Sequence, residues 1–121
     1  MKRLMMGLVV LTLMLPCTGR AGDSLARADL AASDGEWLEA LYWYEVAGEE
    51  GTLRAQETVA FIYSNGERLF PGIERNVALA KAWYYRAEAQ GSAVASRMLA
   101  HFEHPDGSVP AVAAAESAPA R

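Results

Sequence analysis

The chain has 121 residues, of which 52% are hydrophobic and 21% charged, and its formal net charge at pH 7 is −4. This length corresponds to one small domain. Nucleic-acid binding depends on lysine and arginine side chains that meet phosphates, and 11 basic against 15 acidic residues do not supply such a surface. The composition therefore excludes nucleic acid as the partner class.

Residues 1–21 have the organisation of a secretory signal peptide. Lys2 and Arg3 form a short positive start, residues 4–15 are almost entirely apolar, and small residues precede an expected cleavage after Ala21. Because roughly 20 apolar residues are needed to cross the hydrocarbon core, this run is short for a permanent anchor. We expect export across the inner membrane to the periplasm, with an uncleaved anchor as the alternative.

Cys17 is the only cysteine, and it follows the apolar run where a lipid could be attached. A lipidation site has a small residue directly before the cysteine, whereas here that residue is Pro16. We therefore do not expect lipidation at Cys17. Cleavage after Ala21 also removes three of the 11 basic residues, so the mature chain has no disulfide and carries 8 basic against 15 acidic residues.

Between residues 23 and 104 the apolar side chains recur at the helical period, and no segment alternates at the period of a strand. Capping residues and glycines divide this region into five predicted helices, which makes the fold class all-α. The first three helices are predicted over residues 24–33, 36–48 and 52–64. The fourth begins after Asn76 and ends before Gly91, and the fifth begins after Ser92 and ends before Pro105.

The longest interruption between predicted helices, residues 67–75, is unusual because it contains large apolar side chains. Leu69, Phe70 and Ile73 occur where a solvated loop would be polar. The sequence leaves two interpretations open. Either these side chains fold back over the helix ends, or they form a loop that contacts a partner.

Residues 105–121 differ in kind from the helical region. They are rich in alanine and proline, and Val109 and Val112 are their only large aliphatic residues. Such a segment buries too little apolar surface to offset the entropy lost on ordering. We expect a disordered tail, with a short helix over residues 111–115 as the alternative.

A pattern around a Trp–Tyr pair occurs twice, forty residues apart. The identical pairs in this register are Ala40/Ala80, Trp43/Trp83, Tyr44/Tyr84, Ala47/Ala87, Gly51/Gly91, Ala55/Ala95 and Ala60/Ala100. Such a period indicates stacked helical hairpins. Small residues let two helix backbones approach closely, so we assign the recurring alanines to helix crossings and the tyrosines to the gaps beside them.

Residues 36–102 also follow a longer pattern, in which spacing and residue type agree together. The matching residues are Trp43, Tyr44, Ala47, Gly51, Ala55, Val59, Tyr63 and Gly66, then Asn76, Ala78, Ala80, Trp83, Tyr84, Ala87, Gly91, Ala95 and Leu99. They resemble the Sel-one-like repeats, relatives of the tetratricopeptide repeats. The resemblance implies an α/α solenoid, a right-handed superhelix of about two and a half hairpins, over residues 23–104. Bacterial members of that family are exported or membrane-associated scaffolds, which implies an adaptor role.

Four features depart from the family pattern. Asn76 replaces an acidic residue, Ala60 replaces a glycine, and Gly48 replaces the second of two adjacent alanines. The segment after Gly66 is also about four residues longer than the family pattern has, which lengthens the period from thirty-six residues to forty.

The candidates for partner contact are residues that do not repeat, because the repeating ones are occupied with stacking. In related repeats the first helix of each hairpin lines the concave face, which singles out the third and fifth helices here. The candidates are Gln56, Glu57 and Phe61 on the third helix, Ser96, Arg97 and His101 on the fifth, Tyr85 on the fourth, and Leu69, Phe70 and Ile73 in the long segment.

Catalytic chemistry has little support in the sequence. His101 and His104 have a spacing that could place two metal ligands on one helix face, but Pro105 interrupts the helix before a third ligand. No phosphate-binding glycine loop is present, and no nucleophile has a candidate base nearby in sequence. We expect no enzyme activity, no metal, no cofactor and no small-molecule substrate.

These observations predict an exported, periplasmic helical-repeat module that binds another protein of unknown identity. The alternative is a structural or assembly subunit tethered to the inner membrane by an uncleaved leader. Stacked repeats usually need three units for stability, and this chain has fewer. We therefore also expect stabilisation by self-association or by a partner.

Overall fold

The computed structural model describes residues 21–108, which form five α-helices with no strand among them. The helices are α1 (Ala21–Ser33), α2 (Trp37–Glu49), α3 (Leu53–Asn65), α4 (Val77–Ala89) and α5 (Ala93–Glu103). A 3₁₀ turn, Gly66–Arg68, follows α3 directly. The all-α prediction is confirmed, and the predicted helix bounds lie within one turn of the observed ones. Residues 1–20 of the predicted leader and residues 109–121 of the predicted tail lie outside the described residues.

The connections α2–α3 and α4–α5 have the same backbone structure. Gly51 and Gly91 have φ angles of 95° and 92°, and the N–H of the residue after each donates to the carbonyl of Ala47 or Ala87, at 3.0 and 3.2 Å. A left-handed glycine with this hydrogen bond is a common helix end, because it satisfies a carbonyl of the last turn. The forty-residue repeat in sequence is thus a repeat of local structure.

The caps predicted for α4 and α5 are present. The side chain of Asn76 accepts a hydrogen bond from the Leu79 N–H at 3.0 Å, and that of Ser92 accepts one from the Ala95 N–H at 3.0 Å. Each bond satisfies one of the N–H groups that the first turn of a helix leaves without a partner. Thr52 stands in the same place before α3 but makes no capping bond with its side chain.

Each helix packs mainly against the helices before and after it in the chain. Five of the seven recurring pairs are alanine or glycine, and the recurring alanines with no exposed surface are Ala40, Ala47, Ala55, Ala60, Ala80, Ala87 and Ala95. Tyr44, Trp83 and Tyr84 are also buried, and Trp43 is half-buried. Ala100 is the equivalent of Ala60 but is exposed, since no helix follows α5 within residues 21–108.

The segment between α3 and α4 folds back over the ends of the helices. Phe70 and Ile73 are 8% and 3% exposed, and the Phe70 ring packs edge-on against Trp37 of α2, with centroids 4.8 Å apart. Gly66 has a φ of 54°, and a Cβ there would lie 2.5 Å from the Cα of Arg75. Only glycine fits where the two ends of the segment meet this closely.

Gly48 stands where the family pattern has alanine, and the neighbouring indole explains the difference. A Cβ at Gly48 would lie 2.7 Å from Cζ3 and 3.2 Å from Cη2 of Trp83 on α4. The guanidinium of Arg86 also lies over this indole, 4.4 Å from the ring centroid. The glycine therefore allows α4 to place its large aromatic residue directly against the backbone of α2.

Replacement of Gly48 by alanine tests this contact. Helix propensity alone would stabilise the alanine variant by about 1 kcal/mol, but we expect the contact with Trp83 to reverse the sign. The free energy of unfolding in urea should fall for Gly48→Ala in the parent and should rise for the same change in a Trp83→Phe background. A stabilising effect in both backgrounds would show that the indole does not require the glycine.

Candidate partner-binding groove

Phe61 of α3 and His101 of α5, both predicted to contact a partner, line one groove. Their positions are forty residues apart and therefore equivalent in the repeat, which places them on matching faces of the two helices. The groove has a volume of about 570 Å³. Its lining residues are Phe61, Ser64, Asn65, Arg68, Arg75, Met98, His101 and Phe102. We call it the α3–α5 groove.

The apolar part of the α3–α5 groove comes from both helices. Phe61 is 45% exposed, and Met98 and Phe102 are half-buried. The Phe61 ring packs edge-on against buried Phe70, with centroids 5.9 Å apart. Because Phe70 is anchored in the core, the exposed ring of Phe61 has a fixed support.

The basic part of the groove comes from the long segment, whose arginines were not among the residues predicted to contact a partner. Arg68 ends the 3₁₀ turn, and Arg75 follows Ile73 by two residues. The Arg75 Nε donates to the Ser64 carbonyl at 2.9 Å, and the next N–H in the chain, from Asn76, donates to the Tyr63 carbonyl at 2.8 Å. These bonds fix the end of the segment against α3.

The α3–α5 groove differs in charge from the chain as a whole. No carboxylate is among the residues that line it, although the chain carries 15 acidic residues. Elsewhere, Arg54 pairs with Asp29 at 3.1 Å and Arg86 pairs with Glu49 at 2.7 Å. Within residues 21–108, Arg68 and Arg75 have no such carboxylate partner. The groove is therefore a local basic site on an acidic protein.

Gln56 and Glu57 were predicted to face a partner, but both are engaged inside the structure. Gln56 is 3% exposed, its Nε2 donates to the Gly48 carbonyl at 2.9 Å, and its Oε1 accepts from Gln90 at 2.8 Å. It thus ties α2, α3 and the end of α4 together. Half-buried Glu57 accepts a short hydrogen bond from the Ser92 hydroxyl. Burial removes Gln56 from any partner surface.

The remaining candidates are spread over the surface or lie in the core. Phe70 and Ile73 are not available to a partner, because they are buried where the long segment packs on the helices. Leu69 and Tyr85 are 46% and 48% exposed but do not line the α3–α5 groove. Arg97 and Ser96 are exposed on α5, where Arg97 lies one turn before His101.

A second groove of about 440 Å³ lies between α2 and α4. Its lining residues are Tyr42, Glu45, Val46, Glu49, Leu79, Ala82, Trp83 and Arg86. Its charged groups already have partners, since Glu49 pairs with Arg86 and Glu45 accepts from Tyr63. The pairing with Arg86 holds the pKa of the Glu49 carboxyl below its usual range. The charged side chains of this groove are therefore less available to a charged ligand.

Residues 21–108 contain no group of three or more His, Cys, Asp and Glu side chains placed to hold a metal ion. His104 lies with its Nδ1 3.3 Å from the Ser108 hydroxyl, and the His101 ring lies beside Phe102. In the same part of the chain, no helix combines the length and the hydropathy that a membrane span requires.

Comparison of the chain with protein-family models, curated proteins and solved structures gives no match. The resemblance to Sel-one-like repeats accordingly depends on the residues quoted above.

Two tyrosines join consecutive helices through carboxylates. The Tyr44 hydroxyl of α2 donates to Asp29 of α1 at 2.6 Å, and the Tyr63 hydroxyl of α3 donates to Glu45 of α2 at 2.5 Å. Burial, together with the hydrogen bond to a carboxylate, raises the pKa of each phenol to about 12. Ionisation of either phenol would place two negative charges side by side at a helix interface.

This arrangement predicts a loss of stability at alkaline pH. Both phenols have a folded-state pKa of about 12 against an ordinary value of 10.0, so the folded state holds these protons more tightly. Their contribution is complete below pH 10 and is lost as the pH rises through 12. We expect the free energy of unfolding to decline over this range, and to decline less in Tyr44→Phe/Tyr63→Phe. An absorbance titration in which all five tyrosines of the folded protein ionise near pH 10 would contradict this.

Proposed function

We propose that this chain is an exported helical-repeat module that binds another protein, as an adaptor in the bacterial envelope. Its fold would be an α/α solenoid of about two and a half hairpins, of the Sel-one-like type, in a right-handed superhelix. The identical α2–α3 and α4–α5 turns and the buried recurring alanines support this proposal. Helical repeats of this kind mainly supply extended surfaces for partners.

The observation that carries the proposal is the α3–α5 groove. It combines an exposed phenylalanine, a methionine and two arginines on a rigid scaffold. Aromatic, methionine and arginine side chains are enriched in protein interfaces, where a few of them contribute most of the binding energy. The groove thus has the composition of a protein-binding surface rather than that of a reaction centre.

Site-specific photo-crosslinking in the source cells tests where the partner binds. We expect a photoreactive residue at Phe61 or His101 to form an adduct of one discrete mass, and the same residue at Leu30 or Glu88 to form none. Leu30 on α1 and Glu88 on α4 are matched controls, since both are exposed and lie outside the groove. The proposal fails if the groove positions give no adduct or if all four positions give the same one.

The location is part of the proposal, and the leader supports it. Lys2, Arg3 and the apolar residues 4–15 favour export, and cleavage after Ala21 would release a periplasmic protein. The alternative, an assembly subunit tethered to the inner membrane, retains the leader as an anchor.

Mass spectrometry of the mature amino terminus distinguishes a released periplasmic protein from a subunit tethered by its leader. We expect a mature chain that begins at Gly22, recovered in the soluble periplasmic fraction. Recovery of a chain that retains residues 1–21 in the membrane fraction would instead establish the tethered alternative.

A further inference from the structure

We propose that the α3–α5 groove recognises an acidic segment of its partner, in which a carboxylate side chain lies next to a large apolar one. This inference rests on the proposed function, because it assigns a chemistry to the partner of that groove. It depends on the hydrogen-bond donors, the charge and the apolar surface of the groove.

The two arginines of the groove have N–H donors that no other group within residues 21–108 accepts. Each guanidinium carries five N–H donors in a planar fork that matches a carboxylate. Within residues 21–108, the two arginines that pair with a carboxylate bind it in bidentate fashion: Arg54 donates to both oxygens of Asp29, and Arg86 to both oxygens of Glu49. Arg75 uses only Nε, on the Ser64 carbonyl, and Arg68 has no hydrogen-bonded side-chain partner within residues 21–108.

The charge contrast makes the site selective. The chain has a net charge of −4, so an acidic segment is repelled by most of its surface. The α3–α5 groove is lined by two arginines and no carboxylate, which makes it a place where such a segment is attracted. Complementary charge at a groove on a like-charged protein directs both encounter and register.

The apolar neighbour of the carboxylate has a place beside the arginines. Phe61 leaves 45% of its surface exposed, and Met98 and Phe102 continue the apolar lining on α5. A methionine adapts to apolar side chains of different shape. A leucine or phenylalanine next to the carboxylate would bury this surface while the carboxylate meets the guanidinium groups.

The groove is preorganised by the segment after Gly66, which is about four residues longer than in the family pattern. Phe70 and Ile73 are buried, Gly66 lies against Arg75, and the Asn76 N–H donates to the Tyr63 carbonyl. Arg68 and Arg75 are thus carried on a backbone that is already anchored on both sides. Binding then costs little further ordering of the protein.

Selection of a randomised peptide library displayed on phage against the full chain tests the inference. We expect peptides enriched in Asp or Glu next to Leu or Phe. The Arg68→Gln/Arg75→Gln variant should lose this enrichment, whereas Lys81→Glu should keep it, although both variants change the net charge by the same amount. Lys81 of α4 does not line the groove.

The affinity of the most enriched peptide then shows how much the carboxylate contributes to binding. Its Glu→Gln analogue should bind about tenfold more weakly, as expected for the loss of one charge-assisted hydrogen bond. Equal affinities, or selection of neutral or basic peptides, would overturn the inference. Equally tight binding of a single-stranded oligonucleotide of the same charge would overturn it in favour of a general polyanion site.

Two further variants keep the outcomes distinct. If circular dichroism shows that the double variant unfolds at a lower temperature than the parent, the single variant Arg68→Gln replaces it in the selection. The Arg68 side chain makes no hydrogen bond within residues 21–108, so its removal should leave the fold intact while it weakens the enrichment of acidic peptides. Phe61→Ser tests the groove itself. If non-acidic peptides are selected and Phe61→Ser abolishes their binding, the groove is a docking site and only its acidic preference is wrong. If acidic peptides bind Phe61→Ser unchanged, their site lies elsewhere.

Discussion

The close approach of consecutive helices is the constraint on which the rest of this structure depends. It is possible because alanine side chains with no exposed surface recur at the same register positions, as at Ala47 and Ala87. Where the large indole of Trp83 lies at the α2–α4 interface, the residue that faces it is Gly48, which is smaller than alanine. Since each helix packs mainly on its neighbours in sequence, a separation at one crossing would displace everything beyond it, including the α3–α5 groove.

Polar contacts between helices follow from the acidic composition of the chain. Carboxylates of one helix accept hydrogen bonds from hydroxyl or guanidinium groups of another, as Asp29 does from Tyr44 and Arg54, and Glu45 from Tyr63. Within residues 21–108, no buried side-chain nitrogen or oxygen lacks a hydrogen-bond partner. Some of the carboxylates that would repel one another on an open surface therefore form specific hydrogen bonds between helices.

The α3–α5 groove does not take part in this pairing, and its two arginines come from the segment between α3 and α4. The buried side chains of the segment, Phe70 and Ile73, attach it to the helix ends, and its arginines, Arg68 and Arg75, reach the groove without an internal carboxylate. Of the two interpretations open for this segment, fold-back describes Phe70 and Ile73, whereas Leu69 remains exposed. The surface available to a partner comes instead from its charged residues and from exposed Phe61.

The sequence determined the helices and the repeated turns, because caps such as Asn76 and Ser92 act within one turn of the chain. It also showed which small residues recur at the helix crossings. It did not determine which polar residues remain exposed. Gln56 has the sequence environment of a surface residue but is buried, and its side chain hydrogen-bonds there to the Gly48 carbonyl and to Gln90, 34 positions later. Likewise Arg68 and Arg75 join α5 in one groove only because the segment between them folds back. Such contacts depend on where distant helices come to lie, and the tertiary structure alone decides that.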